Sequence, residues 1–421
     1  MMNQPFRDIV SLLGALSIAV APGLFGSAHA EEGDAPAAKG ATTVRPEVGK
    51  PIQAALDLLK HKRGKDAYAK LREVDDIKDK TPYEAFLTEQ VRAQTAAAAG
   101  ETGIAARAFE AVAASPLAHD KEKAQFLAAA ASQYYLAKDY ARSADSAGRY
   151  FKAGGSDKAV HMLQVQALYL GNNFALAGKE LLRVIQAEEQ AGKAPPEMQL
   201  QMLSSVYEKQ QDKAGYASAL EKLLAHYPKK DYWLAAIYSV TSRSGFPDRM
   251  ALDVARLRFA TATMRNADDY MNAAQLALQA GFPAEAKRYI DAGYSAGLLG
   301  AGADAERHKR LKDLTAKNLA ADLKALGQDD AQAAAAKDGT ALFNSGLNYV
   351  LHGRADKGLG MMESGISKGG MKHPEDARLQ LGYAYQLAGQ SQKAVQALRK
   401  IQGSNGVAGL AHLWAIRAGQ S

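Results

Sequence analysis

The sequence predicts an all-α protein built as an α-α superhelix, a solenoid of about ten stacked helical hairpins. Three observations carry this. Strand formers are sparse, while Ala, Leu, Gln, Lys and Glu dominate, which favours helix along the whole chain. Glycines recur at a fixed step: Gly389, Gly353, Gly281 and Gly245 lie on one 36-residue ladder whose missing rung is Lys317, and Gly100 and Gly64 are also 36 apart. Small residues recur at matched offsets from those glycines.

Relative to Gly389, position −7 is Gly382 and +5 is Ala394, with Tyr385 at −4 and Leu398 at +9. The −7 and +5 residues are Gly346 and Gly358 around Gly353, Ala274 and Ala286 around Gly281, and Ala93 and Ala105 around Gly100. Two antiparallel helices joined by a short turn approach closely only where the facing side chains are tiny. Larger residues at −4 and +9 then fill the space on either side. The hub glycine supplies the left-handed residue that ends the first helix. Each hairpin leaves an apolar face uncovered, so the units are stable only when stacked.

The stretch Leu381 to Ile401, with Leu381, Gly382, Tyr385, Gly389 and Ala394 in place, resembles the tetratricopeptide repeat. The Gly353 and Gly281 units match it moderately, and the 36-residue step exceeds that family's usual period of about 34. The resemblance implies a secreted bacterial scaffold that holds a protein or peptide on the concave face lined by its first helices. Members that bind acidic C-terminal tails use a lysine and asparagine clamp. Its residues are not recognisable here, which disfavours that partner class.

Composition narrows the function classes. Cysteine is absent, which removes disulfides, thiolate metal sites, cysteine nucleophiles and the lipid-attachment cysteine of a lipoprotein. A net charge of +7 with interspersed signs is a mildly basic surface and gives no nucleic-acid partner. The first thirty residues differ in kind: Ile9 to Ala30 carries no charge, and Ser27-Ala28-His29-Ala30 suits cleavage after Ala30. Residues 1–30 therefore read as a signal peptide, with an uncleaved anchor as the alternative, and the expected compartment is the periplasm. No later stretch is long enough to span a membrane.

The remaining elements follow in order. Residues 31–50, rich in Ala, Gly, Pro and Thr, read as a flexible leader, and 51–230 as N-terminal repeats. A basic turn at 60–65 closes the first hairpin, and Thr81-Pro82-x-Glu84 starts the next with Thr81 as N-cap. A third hairpin runs from Leu127 to Phe151 with Lys138 at the hub, and its Tyr134, Tyr140 and Tyr150 have inter-helix core spacing. Leu163, Leu168, Phe174, Leu181 and Ile185 mark a fourth unit, and Met198 to Tyr227 a fifth.

Residues 231–421 form the C-terminal repeats, where Gly245-Phe246-Pro247 recurs 36 residues later as Gly281-Phe282-Pro283. The pattern fades at 294–338, a divergent unit or a joint. A helix at 406–418, with Val407, Leu410, Trp414 and Arg417 in helical register, is expected to cap the apolar end of the stack.

Catalytic signatures are weak. The nine histidines are scattered without a metal-binding pattern, so no metal or cofactor is expected. Gly365-Ile366-Ser367-Lys368-Gly369 spells the nucleophile-elbow pattern, but it falls at the end of a hairpin's second helix, where no strand strains the serine. The glycine-rich 297–302 segment lacks a preceding strand and a following Lys-Thr.

The expected binding surface consists of first-helix residues opposite the small pair: Tyr232, Arg243, Met271, Gln275, Gln279, Phe343, Leu347, Tyr383 and Gln386. The leading expectation is a non-enzymatic periplasmic scaffold for a protein or peptide of a cell-envelope assembly. The alternative is a glycan- or peptidoglycan-active enzyme carried on a helical superhelix, which would need a catalytic carboxylate in a cleft.

Overall fold

The computed structural model describes residues 43–403 and 406–420, and every regular element among them is helical. The expected signal peptide lies outside the described residues, as does most of the leader. The chain divides into two units, one ending at Ala191 and the next beginning at Gly192. The sequence placed that break at 230. It falls earlier because α8 ends at Gln190 and Pro195-Pro196 follow, while the fifth hairpin packs onto the sixth.

The first unit holds four hairpins: α1 (Pro46–Lys60) with α2 (Gly64–Leu71), α3 (Pro82–Ala99) with α4 (Thr102–Ala114), α5 (Asp120–Leu136) with α6 (Tyr140–Lys152), and α7 (Lys158–Leu170) with α8 (Phe174–Gln190). The second unit begins with α9 (Glu197–Lys209) and α10 (Lys213–His226), α11 (Lys230–Thr241) and α12 (Ala251–Ala260), then α13 (Ala267–Gln279) and α14 (Pro283–Ser295). It continues with α15 (Ala305–Ala325) and the short α16 (Asp330–Ala335), α17 (Thr340–Leu351) and α18 (Ala355–Lys368), α19 (Pro374–Leu387) and α20 (Ser391–Arg399), and ends with α21 (Val407–Gly419). Ten consecutive helix pairs are present among the described residues. Within each unit, helices adjacent in sequence pack together, α15 and α16 excepted, and first helices of neighbouring hairpins also touch, as α1 does α3, α5 does α7 and α17 does α19. That is the solenoid pattern.

Order begins sooner than the composition implied. Pro46 sits at the first helical position of α1, within the segment expected to be a flexible leader. Arg45 anchors it, its backbone N–H and guanidinium both donating to the fully buried Glu84 carboxylate. Glu84 also completes the capping box with Thr81 that starts α3.

One left-handed residue marks the turn inside nine hairpins: Lys62, Gly100, Lys138, Asn172, Gln211, Gly245, Gly281, Gly353 and Gly389. Lys138 takes the hub at φ 62° as its place in the repeat required. Gly64 does not. Lys62 makes that turn, while Gly64 begins α2, where an added Cβ would come within 2.4 Å of the Ala98 carbonyl oxygen.

Counted from these left-handed residues, the small-pair rule extends further than the glycines alone showed. The −7 and +5 positions are the fully buried Ala55 and Ala67 in the first hairpin, Ala93 and Ala105 in the second, and Ala131 and Ser143 in the third. They are Val165 and Ala177 in the fourth and Ala274 and Ala286 in the seventh, again fully buried. Around Gly353, a Cβ on Gly346 or Gly358 would come within 2.6 or 2.5 Å of the other's carbonyl oxygen, so the two backbones touch. In the last hairpin Gly382 lies against Leu398, and Ala394 has no exposed surface.

The eighth unit is a divergent repeat. Lys317, on the empty rung, lies inside the 21-residue α15, so no turn forms there and the second helix shrinks to six residues. Asp322 near the end of α15 accepts from Asn348 and pairs with His352 of α17 at 2.9 and 2.6 Å.

The expected end cap is corrected. α21 packs on α19 and α20, but also on α10, α11 and α12 near the start of the same unit. Val407, Leu410, Ala411, Leu413, Trp414, Ala415 and Ala418 are all buried, so more than one face is covered. Arg417 Nε donates to the Ala260 carbonyl oxygen at 3.0 Å, and Gln420 to that of Leu224 at 2.6 Å. The second unit is therefore a closed array.

A buried ionic cluster fastens the closure. Arg256 of α12 donates from Nε and Nη2 to both oxygens of Glu285 on α14 at 2.8 and 2.7 Å, and from Nη1 to Asp253 at 2.8 Å. Tyr383 of α19 donates to Glu285 at 3.0 Å, with its ring 4.9 Å from the guanidinium carbon. Burial works to raise Glu285, yet the doubly bonded Arg256 and two tyrosine hydroxyls hold its carboxyl below the usual range. Asp253 receives a single Arg256 nitrogen, and there burial prevails and pushes the carboxyl up.

Candidate functional site

The expected groove residues separate into two groups. Met271, Phe343, Leu347 and Tyr383 belong to the core and cannot line a binding surface. In a continuous stack, the first-helix face opposite the small pair lies against the neighbouring hairpin, so large apolar residues there are covered. Tyr383 also packs on Trp414, ring centroids 5.3 Å apart. Tyr232 is half-buried and ties α11 to α9 through Glu197 and Gln201. Its hydroxyl is pushed up to about 12 by burial and by the Glu197 bond. Gln275 and Gln386 are half-buried, and Gln279 is exposed at the end of α13. None of these shares a site with the remaining candidate, Arg243.

Arg243 does line a cleft. It opens between the fifth and sixth hairpins, with a volume of about 410 Å3, and its walls are the ends of α9 and α11 and the start of α10. Tyr207, Tyr216 and Tyr238 give it three phenol rings, with Glu208, Asp212, Lys213 and Arg243 at the rim.

The cleft exists because the small-pair rule fails here. Counted from Gln211, the +5 residue is Tyr216; counted from Gly245, the −7 residue is Tyr238. Tyrosine at either place cannot enter a close helix crossing. In the fifth hairpin Tyr216 stays half-buried, its oxygen bonded by Ser204 at −7. In the sixth, α12 starts only after the 242–250 loop, so no second helix lies tightly on that face of α11. Tyr238 is left 71% exposed. Tyr207 lies across Gly215, where a Cβ would come within 2.3 Å of its ring.

The chemistry of the cleft is rich in donors. Burial, then the charges of Asp212 and Glu208, raise the Tyr207 and Tyr216 hydroxyls, so both keep their protons at neutral pH. Arg243 Nε donates to the Ser239 carbonyl oxygen at 3.1 Å, which leaves its Nη groups toward solvent. Of the two carboxylates, Asp212 spends Oδ1 on the N–H groups of Ala214 and Gly215, capping α10. Glu208 has no hydrogen-bond partner among the described residues, and Asp212 Oδ2 and the Gln211 amide are also left to meet a ligand.

A second cleft of about 420 Å3 in the first unit, between α6, α7 and α8, has most of its charges already paired, Lys152 excepted. Arg149 is tied to Glu110, and Glu180 to His161 and Arg183. Elsewhere, Ser367 of the elbow-like pentapeptide sits exposed in the last turn of α18 with no strand before it. Among the described residues no group of three or more His, Asp or Glu is placed to hold a metal ion. No helix among them is long and apolar enough to cross a membrane.

The signal sequence reasoning missed was a violation of its own rule. Tyr216 and Tyr238 could have been found as large residues where other hairpins carry small ones, once Gln211 was recognised as a hub.

No family model matches this chain, and no curated protein matches it by sequence. Among solved structures, the TPR domain of P58(IPK) is 13% identical and covers 88% of this chain and 98% of its own length, with a TM-score of 0.21. The helical-hairpin fold accordingly rests on the packing described above.

Proposed function

We propose that this chain is a non-enzymatic interaction scaffold whose Tyr207–Tyr216–Tyr238–Arg243 cleft holds a protein or peptide partner. One observation carries the reading. The packing rule that closes the other regular hairpins is broken in two adjacent ones, and both exceptions put tyrosine into a single open cleft. Aromatic residues and arginine are the side chains that most often anchor protein partners. Tyr238, at 71% the most exposed of the large apolar side chains among the described residues, is open to contact with another molecule.

The uncharged run ending at Ala30 supports export to the periplasm, and with it a partner in a cell-envelope assembly. A glycan-cleaving role is the weaker reading, because Asp212 is committed to its cap through Oδ1 and a single wholly free carboxylate remains.

The test is capture from an envelope extract by purified protein and by the Tyr238→Ala/Arg243→Ala variant. Loss of a specific partner from the variant lane is expected. Identical partners in both lanes would remove the cleft from the function. Export is tested by cell fractionation with N-terminal sequencing, which should find Glu31 first.

A further inference from the structure

The cleft's donor and acceptor balance narrows what fits it. Tyr207, Tyr238 and Lys213 have no hydrogen-bond partner among the described residues, and Arg243 keeps its Nη groups unbonded. Against these donors stand the Glu208 carboxylate and Asp212 Oδ2, with the Gln211 amide beside them. A ligand matching this set offers acceptors, few donors, and flat apolar faces for three rings. Carbohydrate hydroxyls bring a donor with every acceptor, and those donors would compete for the few acceptors the cleft offers. An acidic peptide would meet Glu208 and Asp212 beside Lys213 and Arg243. An amphipathic helix needs a longer apolar channel than a cleft of about 410 Å3 provides.

We infer that the cleft takes a proline-rich segment in the polyproline II conformation, its proline rings on Tyr207, Tyr216 and Tyr238 and its carbonyl oxygens facing Arg243 and Lys213. Proline has no N–H, so such a segment is nearly a pure acceptor. Its backbone makes no internal hydrogen bonds and leaves every carbonyl available. It is also ordered before binding, which lowers the entropy cost of entering an open, shallow site. The inference rests on the cleft being the contact surface and adds the chemistry of the occupant.

The experiment uses the full chain and three fluorescent probes in anisotropy titrations: decaproline, a Gly-Ser decapeptide and a chitin tetrasaccharide. Decaproline should bind saturably, and the Gly-Ser peptide and the sugar at least tenfold more weakly. Tyr238→Ala should weaken decaproline at least tenfold, while Tyr238→Phe, which keeps the ring, should cost less than threefold. Because Tyr238 is 71% exposed, both variants should melt as wild type does, and a circular dichroism melt verifies this. Absence of saturable decaproline binding, binding indifferent to Tyr238→Ala, or preference for the sugar would each overturn the inference. The envelope capture distinguishes the two levels. If Tyr238→Ala abolishes capture but decaproline does not bind, the occupant is wrong and the cleft stands. If decaproline binds through Tyr238 but capture is unchanged, the occupant's chemistry stands and the proposed partner role falls.

Discussion

Arg256→Met removes the one cation among two buried carboxylates. Arg256, Asp253 and Glu285 each have about 1% of their surface exposed, so water cannot take over the solvation that the guanidinium provided. Breaking a buried ion pair from one side costs about 3–5 kcal/mol. The lost contacts with the Tyr383 and Phe282 rings, 4.9 and 5.7 Å from the guanidinium carbon, add about 1–2 kcal/mol. The sum is on the order of 4–7 kcal/mol, a large part of the roughly 5–15 kcal/mol that holds a domain folded.

Urea unfolding followed by tryptophan fluorescence isolates the effect, because the chain's two tryptophans, Trp233 and Trp414, both lie in the second unit. Trp414 packs on Tyr383 itself. A triple variant with Asp253→Asn and Glu285→Gln added removes the stranded charges and should recover at least half of the loss. The pH dependence has a definite sign. Without Arg256, burial raises both carboxyls above their unfolded values, so their contribution is present at low pH and lost as pH rises. The variant's deficit should shrink as pH falls from 7 to 5. A loss below about 1 kcal/mol, or a triple variant no better than the single one, would refute the reasoning.

Other outcomes follow from the same packing. Ala394→Leu overfills the crossing in the last hairpin and should cost about 1–3 kcal/mol in the same urea assay. Lys138→Gly relieves a left-handed lysine at φ 62° and should stabilise the first unit by about 0.5–1 kcal/mol, seen as a higher melting temperature. The Arg45 side chain, supported by its backbone N–H and that of Thr81, holds the Glu84 carboxyl down to about 2 against the burial that would raise it. Its stabilisation is therefore present above the ordinary carboxylate range and lost as pH falls from about 4.5 to 2. Amide protection at the start of α3, taken relative to the intrinsic exchange rate at each pH, should fall across that window in the wild type and show no such step in Glu84→Gln.

The hairpin ladder was legible because a left-handed turn and a close crossing each demand particular residues. Gly389, Gly353, Gly281, Gly245 and Gly100 announce themselves by type, and Lys138 by its place in the third hairpin. Asn172 and Gln211 were silent, since a non-glycine residue in a left-handed turn looks like any polar residue, and Gly64 misled because it was needed for a crossing. α21 was visible as an amphipathic helix, but its docking site was not. Arg417 to Ala260 and Gln420 to Leu224 span 157 and 196 residues, and no local pattern encodes such partners. Phe343, Leu347, Met271 and Tyr383 were taken for groove residues because helix periodicity shows that a face is apolar without showing what covers it. Arg243 alone was placed in the cleft, and the tyrosines beside it became readable only when the packing rule could be checked hairpin by hairpin.

The most direct measurement places a photo-crosslinking phenylalanine derivative at position 238 in living cells, with the exposed positions 279 and 317 as controls. A specific adduct from 238 and none from 279 or 317 is the predicted result. Adducts from the controls with none from 238 would contradict it, and would show that the open tyrosine cleft is not where this array meets its partner.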